Sequence, residues 1–207
     1  MVLIVPMYQG SYEKLKDKEA SNVVDNVTKL LDGNPFQKPV VHRCEIPFYP
    51  GAFLHDVSDP EQYPAPHRFA IEYHNVYYIL DGTNAPIYAL NSSVPLMLHD
   101  GTIADYIRFF LTFVSGQHGR FEIVESVDDI KWREEPPPNA RRALSMMLQT
   151  IKPQAQADGS FTCEATILFH ESLYRSQISV TENGEVKLRN EEILVEDIPV
   201  IDNLFGH

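Results

Sequence analysis

The chain has 207 residues, of which 43% are hydrophobic and 22% charged, and its formal net charge is −12. These values are typical of a globular protein and exclude a disordered chain. The acidic balance disfavours nucleic acid and anionic membrane surfaces as partners, because both attract Lys and Arg.

The two cysteines, Cys44 and Cys163, are too few for a disulfide scaffold. Each lies in an apolar, strand-like segment, and reduced thiols are typical of an intracellular protein. Residues 1–6 are apolar but lack the positive charge and the length of a signal peptide. No apolar run reaches the roughly 18 residues that a membrane-spanning helix needs. We therefore expect a soluble, cytoplasmic protein.

The first predicted element is a helix, because apolar residues recur at helical spacing. They are Val23, Val24, Val27, Leu30 and Leu31. Ser21 is the expected N-cap and Gly33 the expected C′ residue. Residues 11–20 either extend this helix or form a loop.

From about residue 39 the apolar period changes to two, which predicts a strand over 41–46. Residues 47–66 contain five prolines and are expected to form one long loop, a feature that is often functional. A hairpin over 68–72 and 76–80 follows, then an Asp-Gly turn, and Pro86–Leu90 is expected to be a short strand.

A second helix is predicted after Thr102, which resembles a capping-box residue together with Asp105. Its apolar face comprises Ile103, Tyr106, Ile107, Phe110, Phe113 and Val114. Gly116 is its expected stop, and a strand is predicted over 121–124.

Three consecutive prolines cannot lie inside a helix or a central strand, so segment 134–139 is the expected seam in a single domain over 1–207. Segment 140–151 has helical spacing, yet the turn signal at Asp158-Gly159 requires a strand before it. We therefore favour a strand over 144–155, with a helix as the alternative.

Strands at 161–169, 172–180 and 185–188 are predicted to form an antiparallel meander, and the acidic tail from residue 190 is expected to be loosely held. The predicted fold class is therefore α+β: an antiparallel sheet with an amphipathic helix packed on it, and a C-terminal β-meander.

The compact motifs of phosphate-binding loops, zinc pairs and serine hydrolases do not occur in the sequence, and we predict no cofactor, no metal and no catalytic residue. His55, Asp56, Asp59 and His67 are the nearest approach to a metal-binding set. No pair among them has ligand spacing, so exposed loop histidines are the favoured interpretation. Cys44 lies two residues from His42, but a buried apolar cysteine is usually inert.

The residues that we predict to contact a ligand are Tyr78, Asp81, Thr83, Asn84 and Tyr106. The first four lie at a hairpin end that could present polar groups to a cleft, although Asp and Asn also favour turns for structural reasons. Tyr106 is the aromatic residue of the second helix that we expect to face a cavity. Arg141 and Arg142 are interpreted as solvated positions.

Two functions are consistent with these observations. The first is a non-enzymatic binding or accessory protein that acts through a protein partner or as a homo-oligomer, without nucleic acid or membrane. The alternative is a small-molecule-binding or enzymatic pocket between the sheet and the aromatic helix over 102–115.

Overall fold

The computed structural model describes residues 8–116 and 119–201. The sequence predictions for residues 1–6 therefore lie outside the described residues, as do His118 and His207. The chain divides into two compact units, Met1–Met97 and Leu98–His207, and each is considered by itself. Segment 134–139 lies inside unit 2, and the single-domain interpretation stays a prediction.

Unit 1 is a five-stranded antiparallel sheet in the sequential order β1-β2-β3-β4-β5, with two helices. The strands are β1 Glu13–Lys14, β2 Val40–Glu45, β3 Phe53–Ser58, β4 His67–Tyr73 and β5 Val76–Leu80, and the helices are α1 Asp17–Lys29 and α2 Ala85–Ser93. The turn between β4 and β5 consists of His74 and Asn75, whose positive φ values of 49° and 64° match the right-handed twist of a two-residue hairpin.

Helix α1 covers one face of this sheet. Its buried residues Val23, Val24 and Val27 belong to one apolar cluster with Val41 and Val57 of the sheet. The helix begins four residues before Ser21, so the expected N-cap is wrong. Asp17 and Glu19 occupy the first turn instead, where acidic side chains interact favourably with the helix dipole.

Two predictions for unit 1 are wrong because the prolines lie at element ends. Within the expected loop 47–66, residues Phe53–Ser58 form the central strand β3, and the prolines flank it on both sides. The expected strand Pro86–Leu90 belongs to α2, where Pro86 occupies the first turn and needs no backbone N–H.

Unit 2 holds a second antiparallel sheet in the order β11-β10-β9-β7-β6, with β8 paired to β9. The strands are β6 Ser115–Gly116, β7 Gly119–Ile123, β8 Gln154–Ala155, β9 Phe161–Phe169, β10 Ser172–Val180 and β11 Val186–Val195. The helices are α3 Ile103–Phe113, α4 Pro138–Ser145 and a 3-10 turn, Val127–Asp129. The predicted meander strands 161–169 and 172–180 are confirmed residue for residue.

Helix α3 packs on β7 and is buried at seven positions: Ile103, Tyr106, Ile107, Phe109, Phe110, Leu111 and Phe113. Thr102 is the residue before the helix, but its side chain forms no cap bond; its Oγ1 accepts the His99 N–H at 3.1 Å, so the predicted capping box is wrong. Strand content, 35%, exceeds helix content, 23%, and the predicted α+β class is confirmed.

Two expectations for the C-terminal half are wrong. The favoured strand over 144–155 is absent except for β8, since α4 continues to Ser145 and a turn follows it. The expected loose tail from residue 190 is packed against unit 2 at least up to Val200. Strand β11 continues to Val195, and both Ile198 and Val200 are buried in an apolar cluster.

Candidate functional site

Four of the predicted ligand-contacting residues lie in unit 1, and the hydrogen bonds among them form a turn. Tyr78 is in β5. Asp81 accepts hydrogen bonds from the backbone N–H of Thr83 at 2.9 Å and from its hydroxyl at 2.7 Å. The Thr83 hydroxyl in turn accepts the Ala85 N–H, and Asn84 is the residue before α2. Ligand binding by these residues stays a prediction.

The fifth predicted residue, Tyr106, lies in unit 2 and is fully buried. Its hydroxyl donates to the backbone carbonyl of Gly184 at 2.6 Å and so ties α3 to the turn between β10 and β11. This bond gives the hydroxyl a structural role. Contact between Tyr106 and a ligand stays a prediction.

The four residues of the candidate metal set are separated by the sheet. His55 and Asp56 are neighbours on β3 and therefore point to opposite faces. Asp56 hydrogen-bonds His67, whereas His55 bonds Glu72, and Asp59 accepts backbone N–H groups of Gln37 and Lys38. Within residues 8–116 and 119–201, no group of three His, Cys, Asp or Glu side chains is arranged to hold a metal ion.

His55 is a buried strand residue, so its interpretation as an exposed loop histidine is wrong. It is completely buried, and its Nε2 lies 2.8 Å from a carboxylate oxygen of Glu72. Burial lowers the pKa of His55, and this effect outweighs the opposing attraction of Glu72. Its Nδ1 has no hydrogen-bond partner among the described residues.

Cys44 lies on the same sheet face as His42 but is buried, and burial raises the pKa of its thiol. The protonated thiol is a poor nucleophile. Cys163 is also a buried free thiol. Burial therefore disfavours the thiolate form of both cysteines.

A cleft of about 510 Å³ opens on the surface of unit 2, a size in the ordinary range of binding sites. Its lining residues are Glu125, Ser126, Val127, Asp128, Pro138, Arg141, Arg142, Ser145 and Leu148. We call it the α4 cleft, because α4 forms one wall and the 3-10 turn Val127–Asp129 forms the other.

Local hydrogen bonds fix one wall of the α4 cleft, and the burial of an apolar side chain fixes the other. The Ser126 hydroxyl accepts the Asp128 N–H at 3.1 Å, while the Asp129 carboxylate accepts the N–H groups of Glu125 and Ser126 at 2.9 and 2.8 Å. On the other wall, Leu144 of α4 is buried in the apolar core of unit 2. The cleft is therefore preformed.

The two carboxylates that line the α4 cleft are each paired with an arginine, although Arg108 also binds Asp105 and Arg141 also binds Glu135. Glu125 accepts two hydrogen bonds from Arg108, at 2.8 and 2.9 Å, and one from the Ile151 N–H at 2.8 Å. Burial opposes the ionisation of Glu125, but these bonds and the Arg108 charge hold its pKa below the ordinary value. Asp128 is bound by Arg141.

Arg142 is the cationic lining residue without an acidic partner. Arg141 is held by Asp128 and Glu135, whereas the Arg142 guanidinium forms no ion pair with any residue in the described part of the chain. Arg142 therefore has no carboxylate of its own, although the cleft as a whole is not positive: Arg108 is shared between Asp105 and Glu125, and Arg141 between Asp128 and Glu135.

Two exposed methionines follow Arg142 by four and five residues, just after the end of α4. Met146 is 81% exposed and Met147 is 40% exposed, although large apolar side chains are usually buried. Methionine is flexible and polarisable, so it adapts to differently shaped partners. The sequence signal for this surface is Arg142 followed by Met146-Met147 at the end of a short helix, and sequence reasoning missed it.

The comparisons of this chain with protein-family models, curated proteins and solved structures gave no match.

Proposed function

We propose that this chain is a non-enzymatic binding protein that holds an extended segment of a protein partner in the α4 cleft. The observation on which this rests is the Arg142 guanidinium, which lines the cleft and forms no ion pair among the described residues; the exposed Met146 follows four residues later. An arginine without an ion pair at a preformed cleft can bind the carboxylate of a partner with complementary charge.

The two features indicate what the segment contains. A guanidinium binds a carboxylate through two parallel hydrogen bonds, so Arg142 fits an Asp or Glu side chain or a chain terminus. Met146 and Met147 fit an apolar or aromatic side chain a few residues away. Since Glu125 and Asp128 are already paired, they do not compete for Arg142.

A protein segment fits this site better than an enclosed small molecule. Sites for small molecules bury most of the ligand surface, whereas the α4 cleft is open to solvent. The alternative function, a small-molecule-binding or enzymatic pocket between the sheet and the helix over 102–115, stays a prediction.

Binding of a partner as an added strand at the edge of the unit 2 sheet is less well supported than binding in the α4 cleft. Among the described strands β11 lies at the edge of its sheet; it carries charged residues at Lys187, Arg189, Glu191 and Glu192, and Asn190 interrupts it with a φ of 53°. Charges and irregular backbone on an edge strand protect it from pairing with another chain.

The proposal includes a cytoplasmic location and no nucleic acid or membrane partner. It is supported by the net charge of −12 and the two free, buried thiols. In the described part of the chain, no helix combines the length and the hydrophobicity needed to cross a bilayer.

The test is an amide NMR titration of the full chain with the synthetic peptide Ac-Gly-Glu-Gly-Phe-Gly-NH2. We expect shifts at Ser126, Ser145 and Leu148, with a Kd of about 1 mM because the peptide is small. Peptides with Lys for Glu or Ser for Phe, and the variant Arg142→Glu, should bind far more weakly, whereas Arg189→Glu on β11 should bind normally. The absence of shifts at these amides would refute the proposal, and shifts near Tyr106 and Gly184 would favour the pocket instead.

A further inference from the structure

We propose that strand β5 of unit 1 pairs antiparallel with β5 of a second copy of this chain, so that two unit 1 sheets join edge to edge in a symmetric dimer. Strand β5, Val76–Leu80, lies at the edge of its sheet, and among the described strands it pairs with β4 alone. The contact uses unit 1, whereas the α4 cleft belongs to unit 2, so this inference goes beyond the proposed function and does not depend on it.

The burial pattern of β5 is that of a strand with one open side. None of its five residues is buried, and Val76 is 53% exposed. In the same sheet, β3 pairs on both sides and five of its six residues are buried. The described residues therefore leave the outer edge of β5 accessible to another strand.

The other edge strands of the described sheets carry features that prevent pairing with another chain. Strands β1, β6 and β8 have two residues each, and β11 is charged and irregular. Proteins keep exposed edges short, charged or irregular because unpaired N–H and C=O groups otherwise recruit another strand. The sequence of β5, Val-Tyr-Tyr-Ile-Leu, has no charge, no proline and no glycine, and is rich in residues that favour strands. An unprotected edge of this kind is expected where the assembled protein covers it.

The backbone groups on the outer edge of β5 are identified by the hairpin that precedes it. A two-residue turn makes Tyr73 and Val76 a hydrogen-bonded pair, so every second residue of β5 from Val76 onwards bonds β4. The N–H and C=O groups of Tyr77 and Ile79 therefore point away from β4 and are available to a strand on the other side.

These outward groups match their own counterparts in a second copy. When the two β5 strands run antiparallel with Tyr78 opposite Tyr78, Tyr77 of each copy lies opposite Ile79 of the other. The outward N–H and C=O groups of both residues then all have a partner, and the same pair occurs twice about a two-fold axis. The contact uses the same edge of both copies, so it closes at two chains.

The side chains of β5 suit this register. Tyr78 faces its counterpart at the axis, and Val76 faces Leu80 of the second copy, so no like charges are opposed within the paired segment. Cross-strand pairs of aromatic and aliphatic side chains stabilise antiparallel strands.

Polar groups are complementary at both ends of the paired segment. The register brings the exposed Asn75 of one copy opposite the exposed Asp81 of the other. Asp81 accepts both of its hydrogen bonds from Thr83 through Oδ1, and its Oδ2 forms none with the described residues. The Asn75 side-chain amide, which is a donor, can therefore bind Asp81 of the second copy. Because of the two-fold axis this match is used twice, which favours a second copy over an unrelated strand.

The first experiment is sedimentation of the full chain at concentrations from about 5 to 500 µM. We expect the mass to rise from that of one chain to that of two, and no further. Tyr78→Lys places two positive charges opposite each other at the axis and should weaken association at least about tenfold. The matched control is Ile193→Lys on β11, a residue that is 52% exposed, and it should associate like the unchanged chain. Urea unfolding of both variants checks that they are folded.

A disulfide test with oxidised glutathione measures the register directly. The Cα atoms of residue 78 in the two copies should lie about 4.5 Å apart, within disulfide range, so Tyr78→Cys should form a covalent dimer. The Cα atoms of residue 76 should be about 14 Å apart, so Val76→Cys alone should not. A mixture of Val76→Cys and Leu80→Cys should form one. Cys44 and Cys163 are buried and do not compete.

Three results would overturn the inference: a chain that stays monomeric over the whole range, Tyr78→Lys that associates normally, or Val76→Cys that crosslinks as readily as Tyr78→Cys. The proposed function is tested separately, because folded Tyr78→Lys should bind Ac-Gly-Glu-Gly-Phe-Gly-NH2 like the unchanged chain. Association that is lost in Arg142→Glu but kept in Tyr78→Lys would assign the contact to the α4 cleft and not to β5.

Discussion

His55 and Glu72 lie on neighbouring strands of the unit 1 sheet, and the His55 Nε2 is 2.8 Å from a Glu72 carboxylate oxygen. The ring is completely buried on the sheet face that α1 covers, where Val57 of the same strand contacts the α1 cluster. Burial, aided by nearby Arg43, lowers the pKa of His55 despite the attraction of Glu72. Because an ionised carboxylate only accepts, the His55 Nε2–H is the donor of this bond.

The first prediction concerns the pH dependence of stability. The pKa of His55 is lower in the folded protein than its ordinary value of 6.5. Below about pH 6.5, His55 therefore binds a proton more readily in the unfolded chain than in the folded chain. The stabilising contribution of neutral His55 is present above about pH 6.5 and is lost as the pH falls through the folded pKa. Urea midpoints measured between about pH 7.5 and 5 should fall over this window.

Two histidine variants test whether His55 produces this pH dependence. His55→Asn should flatten this part of the pH profile, whereas His74→Asn, in the exposed turn between β4 and β5, should keep it. An unchanged profile in His55→Asn would show that His55 does not produce the effect.

A second prediction concerns the core of unit 2. Phe110 lies in α3 and is 5% exposed, so Phe110→Ala should lower the free energy of unfolding by about 3–5 kcal/mol. Tyr106→Phe removes only the hydroxyl that donates to Gly184, which should cost about 1–2 kcal/mol. Denaturant unfolding of both variants checks this order. A Phe110→Ala midpoint equal to that of the unchanged chain would contradict the core position of Phe110.

Helix α3 and strands β9 and β10 were predictable because local pattern and tertiary environment agree. Apolar residues recur at helical spacing in α3, and the alternation of β9 and β10 is bounded by turn residues at His170 and Gly184. A segment can be predicted from sequence when its local conformational preference agrees with the fold.

Strand β3 and helix α4 were not predictable in this way. The apolar residues of β3 are few and lie between prolines, and pairing with β2 and β4 on both sides decides its conformation. The segment of α4 has helical spacing, but the Asp158-Gly159 turn signal led us to favour a strand there. The strand that this turn requires is only the two-residue β8, which lies well after α4.

The candidate site depends on ion pairs between residues distant in sequence. Arg141 and Arg142 are adjacent and chemically identical, yet Arg141 binds Asp128 and Glu135 while Arg142 binds no acidic residue in the described ranges. Which of two neighbouring arginines is neutralised depends on the fold of the 3-10 turn and α4, and composition alone indicates only that both are solvated.

A third prediction concerns the thiols. Cys44 and Cys163 are buried, and burial raises the pKa of both, that of Cys163 to about 11. Because the thiolate is the reactive form, the folded chain at about pH 8 should react slowly with a disulfide reagent such as DTNB. In denaturant and without reductant, two equivalents should react. Rapid reaction of the folded chain would contradict the buried positions, and fewer than two thiols in the unfolded chain would indicate a disulfide.

A fourth prediction separates binding from stability at the α4 cleft. Met146 is 81% exposed, so Met146→Ser should change the free energy of unfolding by less than about 0.5 kcal/mol. The same substitution should weaken binding of Ac-Gly-Glu-Gly-Phe-Gly-NH2 several-fold, since it removes the apolar contact. Equal binding by Met146→Ser and the unchanged chain would exclude Met146 from the contact surface.

The most direct test of the central claim is a double-mutant cycle between Arg142 and the glutamate of that peptide. Affinities are measured by NMR titration for the unchanged chain and Arg142→Gln, each with the Glu peptide and with its Gln counterpart. A guanidinium that binds the carboxylate predicts a coupling energy of about 1–2 kcal/mol. A coupling energy within about 0.3 kcal/mol of zero would show that Arg142 does not bind the carboxylate, and would contradict the assignment of the α4 cleft as the binding site.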